Sequence, residues 1–201
     1  MLNAMGGVIV GGYLWGQLAM MPVLSAPPTE TLLLTQSQPM LGQDTIPYPP
    51  VMRHGASPEG RYHLTLTLVE GADPPHTVAS LFETLGDRCQ QVWSRPLPHS
   101  YGPRLGLVND SGTVVLLDEW INVASTRAVV VLGRDGDAIA EHSFDDIVAV
   151  TGETRAEVVE QAKQGFWLGG SPEMQNDGSY LAIPTAGGEL TLNLATGAMG
   201  F

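Results

Sequence analysis

The stretch Asn109–Phe144, NDSGTVVLLDEWINVASTRAVVVLGRDGDAIAEHSF, decides the fold. Two apolar runs, Thr113–Val123 and Arg127–Leu132, lead into Arg134-Asp135-Gly136-Asp137 and a third run, Ala138–Phe144. Valine and isoleucine are frequent in all three, and branched side chains pack well on a pleated surface. Asp-Gly between two such runs predicts a two-residue hairpin, because the turn requires positive φ. The stretch therefore predicts an antiparallel meander of three strands.

Working outward, the same order of signals recurs. Ser57-Pro58-Glu59-Gly60 leads a strand over His63–Glu70, in which Leu64, Leu66 and Leu68 alternate with Thr65, Thr67 and Val69. Val78–Glu83 and Gln90–Arg95 follow, joined by a hairpin at Leu85-Gly86-Asp87. Near the C-terminus, Asn176-Asp177-Gly178 leads Ser179–Pro184 and Glu189–Leu194, with a turn at Ala195-Thr196-Gly197. Val51–His54, Arg104–Val108 and Phe166–Gly169 supply a first strand for each copy. The expected fold is mainly β: three four-stranded antiparallel meanders with one inserted helix and an N-terminal apolar helix. The inserted helix is placed after Thr154-Arg155-Ala156-Glu157, a capping box, with Gly165 as its stop. Its expected task is to cover a sheet edge.

Such meanders, with Ser-Pro-Glu-Gly-Arg-Tyr at 57–62, Asn-Asp-Ser-Gly at 109–112 and Asn-Asp-Gly at 176–178, resemble the blades of β-propellers of the WD40, TolB and quinoprotein kind. The resemblance runs from Val51 to the C-terminus. The Trp-Asp strand ending, the Gly-His pair and the quinoprotein tryptophan motif are missing. Three copies are also fewer than the roughly four to eight blades that close a ring. The third copy stops just after its turn, so Thr31–Thr35 is a candidate closing strand. An open stack of sheets, a fragment of a larger repeat array and a subunit that completes its stack as a homo-oligomer are the alternatives.

The chain divides into an apolar segment (1–26), a proline-rich tether (27–52) and the β-repeat body (53–201). No charged side chain occurs from Met1 to Thr29, and residues 5–24 have about the length of a bilayer-spanning helix. A retained anchor, a cleaved secretory signal and a buried segment of the fold are all compatible with it. The first two place the body outside the cytoplasm. No Lys or Arg flanks the segment to set its orientation.

Net charge is −12, which disfavours nucleic acid, since a phosphate backbone is repelled by an acidic surface. With no catalytic motif in the chain, a protein partner is the expected ligand. Cys89 is the single cysteine, so there is no intrachain disulfide, and its expected place is the core. Lys163 is the only lysine.

No cofactor motif occurs: there is no phosphate-cradling glycine loop with a lysine, no dinucleotide fingerprint and no Gly-x-Ser-x-Gly elbow. His54, His63, His76, His99 and His142 show no zinc spacing. Asp135-Gly136-Asp137 lacks the remaining ligands of a calcium loop. Asp118, Glu119 and His142 are the candidate catalytic residues, since paired carboxylates with a histidine can do acid–base chemistry at a fixed separation. Asp145 and Asp146 are the candidate metal ligands. The plainer reading, a solvated strand face followed by an acidic helix start, is favoured, because no motif fixes a separation.

Overall fold

The computed structural model describes residues 48–73 and 75–201. The N-terminal apolar helix, most of the tether and the Thr31–Thr35 strand fall outside the described residues. Within them, twelve strands form three four-stranded antiparallel sheets.

Sheet 1 holds β1 (Met52–Ala56), β2 (Tyr62–Val69), β3 (His76–Leu85) and β4 (Arg88–Ser100). Sheet 2 holds β5 (Pro103–Val108), β6 (Val114–Glu119), β7 (Val129–Leu132) and β8 (Ala138–His142). Sheet 3 holds β9 (Glu173–Gln175), β10 (Tyr180–Thr185), β11 (Gly188–Asn193) and β12 (Met199–Gly200). In each, the strands lie side by side in chain order.

Sheet 2 lies between the other two. Every residue of β6 and β7 is buried, which is why Val114–Leu117 and Val129–Leu132 are continuously apolar and not alternating; Asp118 and Glu119 end β6 as buried carboxylates. The alternation is spatial. Val114, Leu116, Val130 and Leu132 pack with Tyr62, Leu64, Leu66, Ala79 and Leu81 of sheet 1. Val115, Leu117, Val129 and Val131 pack with Leu181, Ile183, Leu190 and Leu192 of sheet 3. The register sorts them: Leu116 faces Val130 and Val115 faces Val131, and residues opposite each other share a face. The far sides of the stack carry polar residues among half-buried apolar ones such as Val78 and Phe82. Thr65 opposes Ser80 on sheet 1, and Glu189, Thr191 and Asn193 alternate with buried Leu190 and Leu192 on sheet 3.

The glycine-marked turns between first and second strands gather along one side and bond to one another. The Glu59 amide donates to Asp110 Oδ1 at 3.1 Å, and Asn109 Nδ2 donates to the Gly178 carbonyl at 2.7 Å. Asn109 Oδ1 also accepts from the Ser111 and Thr113 amides, closing its own turn. A second clasp joins sheets 1 and 2. Glu83 accepts from Arg61, from Tyr62 Oη and from Arg134 in the β7–β8 turn. These donors, Arg61 first, hold its carboxyl below the usual range despite desolvation.

Several expectations are corrected. The β7–β8 connection is a five-residue turn, 133–137, in which the Gly136 amide donates to the Gly133 carbonyl at 2.9 Å. Gly136 alone in that turn has positive φ, +85°, so a bulge replaces the two-residue hairpin. The run at Thr113–Val123 stops at Glu119, and a loop carries the chain to β7. Phe166–Gly169 is not a strand. Trp167 and Leu168 plug the core from a turn, both fully buried, and β9 supplies the first strand instead. The third sheet gets its fourth strand from β12, at the C-terminus. Cys89 is exposed, not in the core.

Among the described residues, two helices lie between β8 and β9, where one was expected. α1 (Phe144–Thr151) begins at Ser143, whose hydroxyl caps the Asp146 amide while Asp146 reaches back to the Ser143 amide. This is the same box that Thr154 and Glu157 make for α2 (Arg155–Glu160). Phe144, Ile147 and Val158 are the buried contacts of the pair. α2 ends at Gln161 rather than Gly165.

Close approach of β2 to β5 relies on glycine. A Cβ at Gly106 would meet Leu64 Cδ2 and Leu66 Cδ1, each at 2.9 Å. Gly106→Ala is therefore expected to cost about 1–3 kcal/mol by overpacking. Leu116→Ala, at a fully buried position, is expected to cost about 2–5 kcal/mol by leaving a cavity. Thr67→Ala on the outer face should fall within about 0.5 kcal/mol of wild type. Urea unfolding followed by circular dichroism measures all three.

Candidate functional site

Asp118 and Glu119 end β6, and the chain bends sharply there. Asp118 has φ +59°, uncommon for a residue with a side chain. The bend carries its carboxylate, fully buried, toward the linker after α2. Oδ2 accepts from the Phe166 amide at 2.5 Å, Oδ1 from the Glu119 amide at 2.9 Å, and Arg104 Nε lies 3.9 Å away. Burial raises its pKa, against the pull of the two amides and Arg104. Gly165 makes this approach feasible, since a Cβ there would overlap Asp118 Oδ2.

Glu119 turns elsewhere. Its Oε1 accepts from Ser125 Oγ at 3.0 Å, closing the β6–β7 loop. Its pKa is also raised, chiefly by burial, with the Asp118 charge adding to the effect. His142 lies on β8, opposite Val129, which in turn opposes Leu117. That is two strand spacings from β6, roughly 10 Å. Its Nε2 sits 2.6 Å from the Gly197 carbonyl oxygen. The three side chains named from sequence thus have three separate partners, and the structure does not gather them around one cleft.

Asp145 and Asp146 open α1. Asp146 completes the capping box, and the Ser143 hydroxyl and amide lower its pKa. Asp145 pairs with Arg155 of α2. Among the described residues, no three His, Cys, Asp or Glu side chains are grouped to hold a metal ion.

Two features escape sequence reading because their members lie far apart in the chain. In the first, Arg53 of β1 and Arg104 of β5 both stack on Trp120, each guanidinium 5.3 Å from the ring centroid. Arg53 Nη1 donates to the Pro103 and Arg104 carbonyls at 2.6 and 3.0 Å. Arg104 Nη2 donates to the Trp120 carbonyl and Asn122 Oδ1 at 2.8 and 2.5 Å. Burial lowers the Arg53 pKa, and the neighbouring Arg104 charge lowers it further.

The second is His99, 1% exposed at the end of β4. Neither ring nitrogen makes a hydrogen bond of full geometry among the described residues, although the Arg127 main chain lies near. Burial, the largest cause, brings its pKa from 6.5 down to about 4, with the Arg127 charge adding and the Arg127 main chain opposing.

No family model matches the chain, and no curated protein matches it.

His99 makes a pH dependence. A histidine with a depressed folded-state pKa binds its proton mainly in the unfolded chain, so folding is favoured more as pH rises from about 4 to about 6.5. His99→Leu should flatten that rise, by up to about 3 kcal/mol at the low end. Denaturant unfolding at pH 7 and pH 4.5, wild type against variant, reads the difference.

Proposed function

We propose that the chain is a non-catalytic, β-propeller-like sensor or protein-interaction domain, held at or exported across a membrane through residues 5–24. The propeller likeness is supported by three sheets of identical strand order, packed face to face in sequence, with their equivalent turns bonded to one another. The buried carboxylates Asp118 and Glu83 are bound into the scaffold, which favours binding over acid–base chemistry.

The observation that carries the interaction reading is strand β4. It is the longest strand among the described residues, thirteen residues, and it forms the outer edge of sheet 1. Arg88–Gln91 and Ser94–Pro96 are exposed along it. An edge strand presents unpaired main-chain groups that another chain can pair with. Pro96 and Pro98 lack amide donors and blunt the second half of the edge, so Arg88–Arg95 is the part open to strand addition.

A photo-crosslinking residue at Gln91 of the full chain, in the native membrane fraction, is expected to capture a protein that the same probe at Thr191 does not. Equal capture at both positions, or none at Gln91, contradicts the reading. Membrane placement rests on the uncharged segment before Glu30, and no helix among the described residues is long and apolar enough to cross a bilayer. Carbonate-washed membranes should retain a chain with an intact N-terminus if the segment anchors it. A mature N-terminus near Ala26 in the soluble fraction indicates export with cleavage. An intact chain in the soluble fraction contradicts both.

A further inference from the structure

The geometry points to a peptide-anchoring cleft between β4 and β8, which takes one large apolar side chain of a strand-adding partner. This rests on the interaction reading and deepens it, by naming the side chain that the partner must carry.

β4 is the last strand of sheet 1 and β8 the last of sheet 2. Between them lies a cleft of about 410 Å³, a size within the range of ligand sites. Leu97, Leu116, Val130 and Leu132 form its floor. Each is at most 6% exposed and belongs to the core between the two sheets, so this core layer opens outward between the two edge strands. Arg95–Pro98 line the β4 side, and Ala138 and Glu141 come from β8. A second hollow, with Val92, Ala138 and exposed Ile139 in its lining, continues the cleft along the same two strands.

Two observations choose the occupant. The first is continuity with the β4 edge. Arg95 is the last residue of the open stretch Arg88–Arg95 and the first in the lining of the cleft. Pro96 has no amide donor, so main-chain pairing gives way to side-chain contact where the apolar floor begins. Strand addition divides its work in the same way: main-chain bonds hold the strand, and pockets read individual side chains. The second observation is charge. Both charged side chains in the lining are committed, since Arg95 donates to the Gly136 carbonyl and Glu141 lies 3.6 Å from Arg127. What the cleft offers is therefore apolar surface, and the fitting group is a phenylalanine, leucine or methionine side chain and not an ion. Full burial of such a side chain tightens binding roughly 10- to 100-fold.

The test titrates the full chain, with ¹⁵N amides and ¹³C-labelled leucine and valine methyls, with three blocked ten-residue peptides. All alternate threonine and glutamine, and they differ only in the two end residues, which are both phenylalanine, both leucine or both serine. The amides of 88–95 are expected to shift with all three, and the methyls of Leu97 and Val130 with the first two alone. The phenylalanine peptide should bind about tenfold or more tightly than the serine peptide. Ala138→Trp fills the cleft from an exposed position. It should remove that preference while the 88–95 shifts and the circular dichroism stay those of wild type. Equal Kd for the phenylalanine and serine peptides, with 88–95 still shifting, overturns the cleft and leaves the strand reading standing. No shift along 88–95 with any peptide overturns both. Concentration-dependent shifts of the Leu97 methyls without peptide mean that a second copy fills the cleft, and overturn the assignment to a partner.

Discussion

The burial of β6 and β7 on both faces is the constraint on which the rest depends. Eight residues, Val114–Leu117 and Val129–Leu132, have no polar side chain among them, and all are withdrawn from water. A sheet built from them is insoluble by itself. It requires one apolar face from each neighbour, and that is what sheets 1 and 3 supply. Leu64, Leu66 and Leu81 come from one side, and Leu181, Ile183 and Leu190 from the other. Those neighbours need only one fully buried face each, so their strands alternate buried and half-exposed positions. Buried apolar area of this kind stabilises by roughly 25 cal/mol per Å², and the middle sheet gains it twice.

The same logic explains what was legible in the sequence. Leucine–threonine alternation at 64–69 announces a sheet with one wet face, and the continuous run at 113–117 announces a sheet with none. The turns at Gly60, Gly86, Gly112 and Gly178 fall where their glycines adopt positive φ. Phe166–Gly169 misled because a tryptophan and a leucine in a short apolar run read alike whether they pave a strand or plug a core from a turn. β9, Glu173-Met174-Gln175, has almost no apolar signal, since an edge strand of three residues buries little. The first helix was legible only in its start: Asp145-Asp146 reads as an acidic helix entry, but the cap at Ser143 follows directly on a strand, so the entry does not read as a helix separate from the one after Thr154.

The candidate chemistry was legible by residue type and not by arrangement. Asp118 and Glu119 are adjacent in sequence, and a regular strand would point them to opposite faces. The left-handed backbone at Asp118 replaces that rule with a bend, so one carboxylate ties the third sheet's approach to β6 and the other closes a loop. Their raised pKa values follow from burial, which structural carboxylates share with catalytic ones. The Arg53–Trp120–Arg104 stack and the buried His99 join residues separated by tens of positions. No local pattern encodes them, because they arise only when β1, β5 and the end of β6 come together.

Native-state hydrogen exchange, resolved by peptide and followed through increasing sub-denaturing urea, tests the central sheet most directly. If sheet 2 is the element on which its neighbours depend, amides in 114–117 and 129–132 will be the last to exchange, opening only with global unfolding. Sheets 1 and 3 will then never stay protected once sheet 2 has opened. Protection that persists in 62–69 or 188–193 after 114–117 has exchanged would show that an outer sheet stands without the middle one, and would contradict the account.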